Sequence, residues 1–209
     1  MKVRKDILEK KFTKYNGRVM FPSTHDIIDE SMVKQVCFSV IKKLLDVDNE
    51  VLITTKPNYN VIKDIVNRFE HFRDQIQFRF TITSRNDNLL SFWEPNAPLF
   101  KERLKSLKFA FENDYKTSVS IEPFLDYEPQ ILVEKISPFV TESIWVGPMN
   151  YIPRNNIKKK DLPQYEETRK NYDVENLAEI YHDLKNKPAI RFKDSMAIRL
   201  KLPIINRVC

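Results

Sequence analysis

Glycine is nearly missing from this sequence: Gly17 and Gly147 are the only two in 209 residues. Phosphate-cradling loops of the Walker and dinucleotide types need closely spaced glycines, because backbone N–H groups must approach the phosphates with no Cβ in the way. Both types are excluded. Cysteine is equally scarce, and Cys37 and Cys209 lie too far apart in sequence to form a disulfide framework or a metal-ligand cluster. Cys37 falls within an apolar helical pattern and is expected to pack as a small, inert hydrophobe. No apolar run approaches the roughly 20 residues that span a bilayer. The opening MKVRKDILEKKFTK carries charge where a signal peptide has its apolar centre. The expected compartment is therefore the cytoplasm, with no membrane partner.

With 42% hydrophobic residues, positions 1–209 have the material for one medium-sized domain with a real core. The net charge of +6 is unevenly spread. Residues 1–18 hold seven basic and two acidic groups, 154–170 six and three, and 185–209 seven and one, around a mildly acidic body. A basic periphery can touch nucleic acid. However, lysine dominates it, and no aromatic–arginine alternation of the single-strand-binding kind runs through it.

The periodicity predicts a basic helix over 2–15 and a strand near residue 18. A helix over 30–46 follows, with Asp29 as its cap and Met32, Val33, Val36, Val40, Ile41, Leu44 and Leu45 at helical spacing. EVLITT (50–55) reads as a strand and VIKDIVNRFEHF (61–72) as a helix capped by Asn58. QIQFRFTIT (75–83) reads as a strand and, after a loop, 97–113 as a helix. TSVSIE (117–122), EPQILVEKISPF (128–139) and SIWVG (143–147) continue as strand, helix and strand. A C-terminal extension over 151–209 opens with a basic, proline-bearing loop, then a helix over 174–186 and a mixed tail. Strand–helix alternation of this kind implies parallel strands with right-handed crossovers. Five or six strands cannot close an eight-stranded barrel.

The faces of the strands are informative, because side chains alternate. In FRFTITS, Phe78, Phe80 and Ile82 share one face, and Arg79, Thr81 and Thr83 the other. In TSVSIE, Val119 and Ile121 oppose Ser118, Ser120 and Glu122. A central strand of a doubly wound sheet is apolar on both faces, since helices cover both. A polar face holding a cation and a carboxylate instead fits an open, partial barrel whose concave side lines a wet cavity. The C-terminal ends then bring together Ser23, Thr24, His25 and Asp26; Thr54, Thr55 and Lys56; Thr83, Ser84 and Arg85; Glu122 and Asp126; and Met149 and Asn150. Chemistry in parallel barrels sits at that edge, which makes RVMFPSTHD (18–26) a site lip. An internal ion pair is the competing role for Arg79 with Glu122. His71 and His182 lie on charged amphipathic helices and are expected to face solvent.

MFPSTHDI, EVLITTKP, QIQFRFTITS, FWEPNAPLFKERLKSLKFAFE, KTSVSIEPFLD and SIWVGPMN occur in order over about residues 17–150, with a weaker echo in IRFKDSMAIRL (190–200). Together they resemble core blocks of the radical S-adenosylmethionine superfamily, in the branch related to spore photoproduct lyase. The resemblance implies a partial (β/α)6 barrel and a lyase-like radical enzyme. Ser23–Asp26 would help hold the amino group of S-adenosylmethionine. Thr81 and Thr83 would face its ribose and carboxylate, Ser120 and Glu122 would support cofactor and substrate, and Asn150 would end the strand beside the adenine.

The family also holds a 4Fe–4S cluster on a Cys-x3-Cys-x2-Cys loop after its first strand, and thiolates are needed for that ligation. No such triad occurs in this sequence, and Cys37 sits on the wrong element. Two expectations follow. The chain is part of a split or truncated radical enzyme, or it is a degenerate homologue that binds a small ligand or nucleic acid without radical chemistry. Without the family's first strand, the strand holding Val19 and Phe21 has an unpaired side. The basic N-terminal helix, a second copy in a homodimer or a separate N-terminal fragment would cover it.

Overall fold

The computed structural model describes residues 9–203. Its centre is a six-stranded sheet made of β1 (Val19–Phe21), β2 (Val51–Thr55), β3 (Ile76–Thr81), β4 (Lys116–Ile121), β5 (Ile144–Val146) and β6 (Ile190–Phe192). The spatial order is the sequence order, and all five strand pairs are parallel. That order never reverses. Crossovers of one hand that always step in the same direction leave their helices on the same face, so the sheet is singly wound.

The crossover helices are α1 (Ser31–Leu45), α2 (Tyr59–Arg68), α3 (Asp87–Trp93), α4 (Phe100–Glu112), α5 (Pro129–Ile136), α6 (Leu162–Asn171) and α7 (Val174–Leu184), with α8 (Asp194–Arg199) after β6. Each long helix buries the stripe its spacing sets out, such as Val33, Cys37, Phe38, Val40, Ile41, Leu44 and Leu45 of α1. Those stripes meet Val51, Ile53, Phe78, Phe80, Val119, Ile121, Ile144 and Val146 in one hydrophobic cluster. Phe78 and Phe80 stack at 5.1 Å, and neither has any exposed surface. Burying each ring contributes on the order of 1.5–3 kcal/mol, which makes this pair a principal anchor between sheet and helices. No helix among the described residues is long and apolar enough to cross a membrane.

Several expectations need correction. Residues 11–15 are irregular rather than helical, and Thr13 and Tyr15 bond instead to the side chain of Asn49 before β2. The rest of the helix expected over 2–15, like Cys209, lies outside the described residues. Asp29 does not cap α1. The position belongs to Glu30, and the Asp29 carboxylate takes Lys34 at 2.7 Å and Asn60 at 3.1 Å. Those two donors hold Asp29 below the usual carboxylate range, Lys34 first. Asn58 does cap α2, through Val61 N at 3.2 Å. The loop expected before residue 97 contains α3, and the loop after 150 contains α6. The mixed tail contributes β6, a three-residue strand too short to show a period.

Candidate functional site

Opposite the helical core, the second face of the sheet carries Met20, Leu52, Thr54, Gln77, Arg79, Thr81, Ser118, Ser120, Trp145 and Arg191. This follows from the register, which aligns Thr54 with Arg79 and Ser118, then Thr81 with Ser120, Trp145 and Arg191. Toward the N-terminal end, the polar groups satisfy one another. Glu50 accepts from Arg18 at 3.2 Å, and Arg18 donates to Gln77 Oε1. The Gln77 amide donates to Ser118 Oγ at 3.1 Å, and Arg79 Nε does so at 3.3 Å. Ser118 in turn donates to Phe78 O at 3.1 Å, so its one proton and both lone pairs are used. These groups plug the lower part of the polar face with bonds to one another.

At the upper level the Trp145 indole meets two cations, with Arg79 at 5.2 Å from its ring centre and Lys193 at 5.4 Å. Lys193 Nζ also meets Glu122 Oε2 at 2.8 Å. Glu122 thus takes the lysine after β6, while Arg79 meets Ser118 and Trp145. Gly147 makes this approach feasible. A Cβ there would lie 2.8 Å from Lys193 Cβ and 2.9 Å from its Cγ. A backbone without a side chain at the end of β5 thus lets the Lys193 stem pass toward Glu122. Sequence reasoning missed Trp145 and Lys193. Trp145 sits on the polar face by simple alternation with the buried Ile144 and Val146, and that was the available signal.

The lip after β1 is anchored at both ends. Thr54 donates to Pro22 O at 2.6 Å. Asp26 Oδ1 accepts from Lys56 N at 2.6 Å and from Thr55 Oγ1 at 3.3 Å, and Lys56 Nζ stands 3.4 Å from Oδ2. Between these anchors Ser23, Thr24 and His25 are exposed. His25 touches Thr24 Oγ1 at 3.5 Å through Nδ1 and Cys37 Sγ at 3.8 Å through Nε2. Burial pushes the Cys37 thiol up, which disfavours its thiolate. Asp126, after β4, plays the same anchoring part as Asp26 by accepting from Ser84 and from Arg85 N at 3.0 Å. His71 and His182 are exposed, as their helices imply.

The lip forms one wall of a cleft of about 490 Å³, with His25, Asp26 and Lys56 on one side and the 93–98 segment on the other. That opposite wall is held by a buried ion pair. Arg103 of α4 meets Glu94 at 2.6 Å and donates to Pro98 O at 2.6 Å and Thr81 O at 3.2 Å. Thr83, past the end of β3, gives its hydroxyl to Glu94 Oε1 at 3.1 Å. Its expected place facing a ligand is thus taken by the scaffold of the cleft. Asn150 lies apart, exposed beyond β5 on the rim of a second cavity.

No protein-family model matches the chain, and no curated protein matches it. Functional meaning rests on the site itself. Among the described residues no group of three His, Cys, Asp or Glu side chains could hold a metal ion. An iron–sulfur cluster does not fit this sequence, whose two cysteines are the buried Cys37 and the distant Cys209.

Proposed function

We propose that the chain is a partial (β/α)6 barrel of the radical S-adenosylmethionine type that binds S-adenosylmethionine, or a related adenosyl ligand, at the C-terminal strand ends. The observation that carries the reading is the polar face of a singly wound parallel sheet. Thr81, Ser120 and Trp145 stand on three adjacent strands, with Glu122 just past the end of the middle one, and they open at the same edge as Ser23–Asp26 and Lys56. Lys56 offers a cation to the ligand carboxylate, and the exposed hydroxyls of Ser23 and Thr24 can serve its amino group. Glu122, Thr81 and Ser120 offer acceptors and donors to ribose hydroxyls, and the Trp145 ring offers apolar area. Radical chemistry on this scaffold would need thiolates from another polypeptide segment, so the function assigned to these residues is ligand binding and positioning.

Calorimetry with S-adenosylmethionine and S-adenosylhomocysteine at millimolar concentration tests this. Binding is expected to be weak. Glu122→Ala should reduce affinity about tenfold, the scale of one lost charge-assisted hydrogen bond. His182→Ala, on the outer side of α7, should leave affinity unchanged. An absence of heat with either ligand, or equal losses from both substitutions, would remove the reading.

The free side of β1 supports a second reading. β1 pairs only with β2 among the described residues, and Met20 is 51% exposed there. An open edge with apolar surface beside it invites another strand. Either a separate N-terminal fragment or a second copy of this chain is proposed to supply it. Light scattering across a concentration series should then show a dimer, or a complex with the fragment. A monomer at every concentration that ignores the fragment would exclude both.

A further inference from the structure

The segments after β5 and β6 enclose a second cavity of about 670 Å³, of whose lining only Asn150 enters the adenosyl reading. Three arginines line it, Arg154, Arg169 and Arg199, and no carboxylate does. Three guanidinium groups around one cavity repel one another, and such an arrangement usually contains acidic partners. Here, among the described residues, none of the three makes an ion pair.

Two of these guanidinium groups are held in place from behind. Arg199 donates to Met149 O at 2.8 Å and lies 5.6 Å from the centre of the Tyr172 ring. Arg169 donates to Pro153 O. Each bond uses one nitrogen and leaves the rest of the fork for another acceptor. Tyr172 is itself fixed by its hydroxyl bond to Phe124 O, and burial keeps that phenol neutral far above neutral pH. Arg154 is exposed and makes no hydrogen bond among the described residues, so its whole fork is open as a third donor at the rim.

We infer that this cavity is a binding site for a nucleoside phosphate. Pre-set arginine forks match the paired oxygens of a phosphate, and their charge matches the phosphate dianion. The cavity is much larger than a bare phosphate and falls within the range of small-molecule clefts. Its remaining lining suits a base and a sugar. Tyr151, 76% exposed, offers a ring for stacking, and the Asn155 and Asn156 amides offer both donors and acceptors. The inference is independent of the adenosyl reading, which uses none of the three arginines.

Calorimetry of the full chain with AMP, pyrophosphate and inorganic phosphate is the test. AMP should bind, and more tightly than inorganic phosphate. Arg154→Gln and Arg169→Lys should each weaken AMP at least tenfold, on the scale of one charge-assisted bond. Lys159→Gln, basic and nearby but outside the lining, should change it less than twofold. Arg154 has no partner to lose, so its substitution leaves the fold intact, and an unchanged melting temperature checks that. No heat from AMP or pyrophosphate at millimolar concentration would overturn the inference. So would equal losses from Lys159→Gln and Arg154→Gln, which would mean a diffuse field. Affinity that rises with the length of a single-stranded oligonucleotide while AMP stays silent would also overturn it, in favour of a nucleic-acid backbone surface.

Discussion

Replacing Arg103 by alanine is expected to lower the unfolding free energy by about 3–5 kcal/mol, the cost of breaking a buried ion pair from one side. Arg103 has no exposed side-chain surface, and Glu94 has 9%. Without the guanidinium, Glu94 keeps only the Thr83 hydroxyl, and Pro98 O and Thr81 O lose a donor. In a chain of this size each kcal/mol moves the melting temperature by roughly 2–4 °C, so the drop should be about 10 °C. Urea unfolding should show a lower midpoint at unchanged slope. The double variant Arg103→Met/Glu94→Gln should be more stable than Arg103→Ala, because it leaves no buried charge unpaired. A loss under about 1 kcal/mol for Arg103→Ala would mean that Glu94 is solvated. Since Glu94 belongs to the wall of the cleft beside Asp26 and Lys56, Arg103→Ala should also weaken any ligand held there.

Raising the pH above about 10 should destabilise the protein, and Tyr115 is one reason. Its ring packs 5.3 Å from Phe78, and its hydroxyl donates to Val66 O at 3.1 Å. Burial pushes its pKa up to about 12. An unfolded tyrosine titrates near 10. The folded state therefore favours the neutral phenol, and this contribution is complete below about pH 10. It falls as pH climbs from about 10 toward 12, and at the end roughly 3 kcal/mol has been lost, two pH units at about 1.4 kcal/mol each. Tyr172 is shifted in the same direction by burial and adds to the loss. Urea midpoints measured between pH 8 and 12 should fall steeply above 10. The fall should be shallower in Tyr115→Phe, which costs about 1 kcal/mol at neutral pH for the unpaired Val66 carbonyl. An ultraviolet titration in which all eight tyrosines ionise together near pH 10 in the folded protein would contradict this.

Much of the architecture was legible beforehand. The alternation of period-two and period-3.6 segments gave the parallel order of β1 to β5 and the long helices, because both periods are local consequences of backbone geometry. The split faces of FRFTITS and TSVSIE reported the polar side of the sheet for the same reason. Shorter elements escaped. α3 has seven residues and β6 three, and neither length shows a period against a charged background. Arg103 left a trace that went unread. Phe100, Arg103, Leu107 and Ala110 recur at helical spacing, so the arginine occupies the apolar stripe of α4, where only a paired charge can sit.

The amino-acid sequence by itself determined the class of fold, the apolar and polar faces of its strands, and the exposed lip at Ser23–His25, all of which follow from neighbours along the chain. Only the tertiary structure decided the partners of the charges. Glu122 faces Arg79 or Lys193 according to where β6 lies, Asp26 serves the end of β2 because β1 pairs beside it, and three arginines from separate segments converge on one cavity. Charge pairing is set by distance in space and by desolvation. Neither is a periodic property of the chain, so neither can be read before the strands have an order.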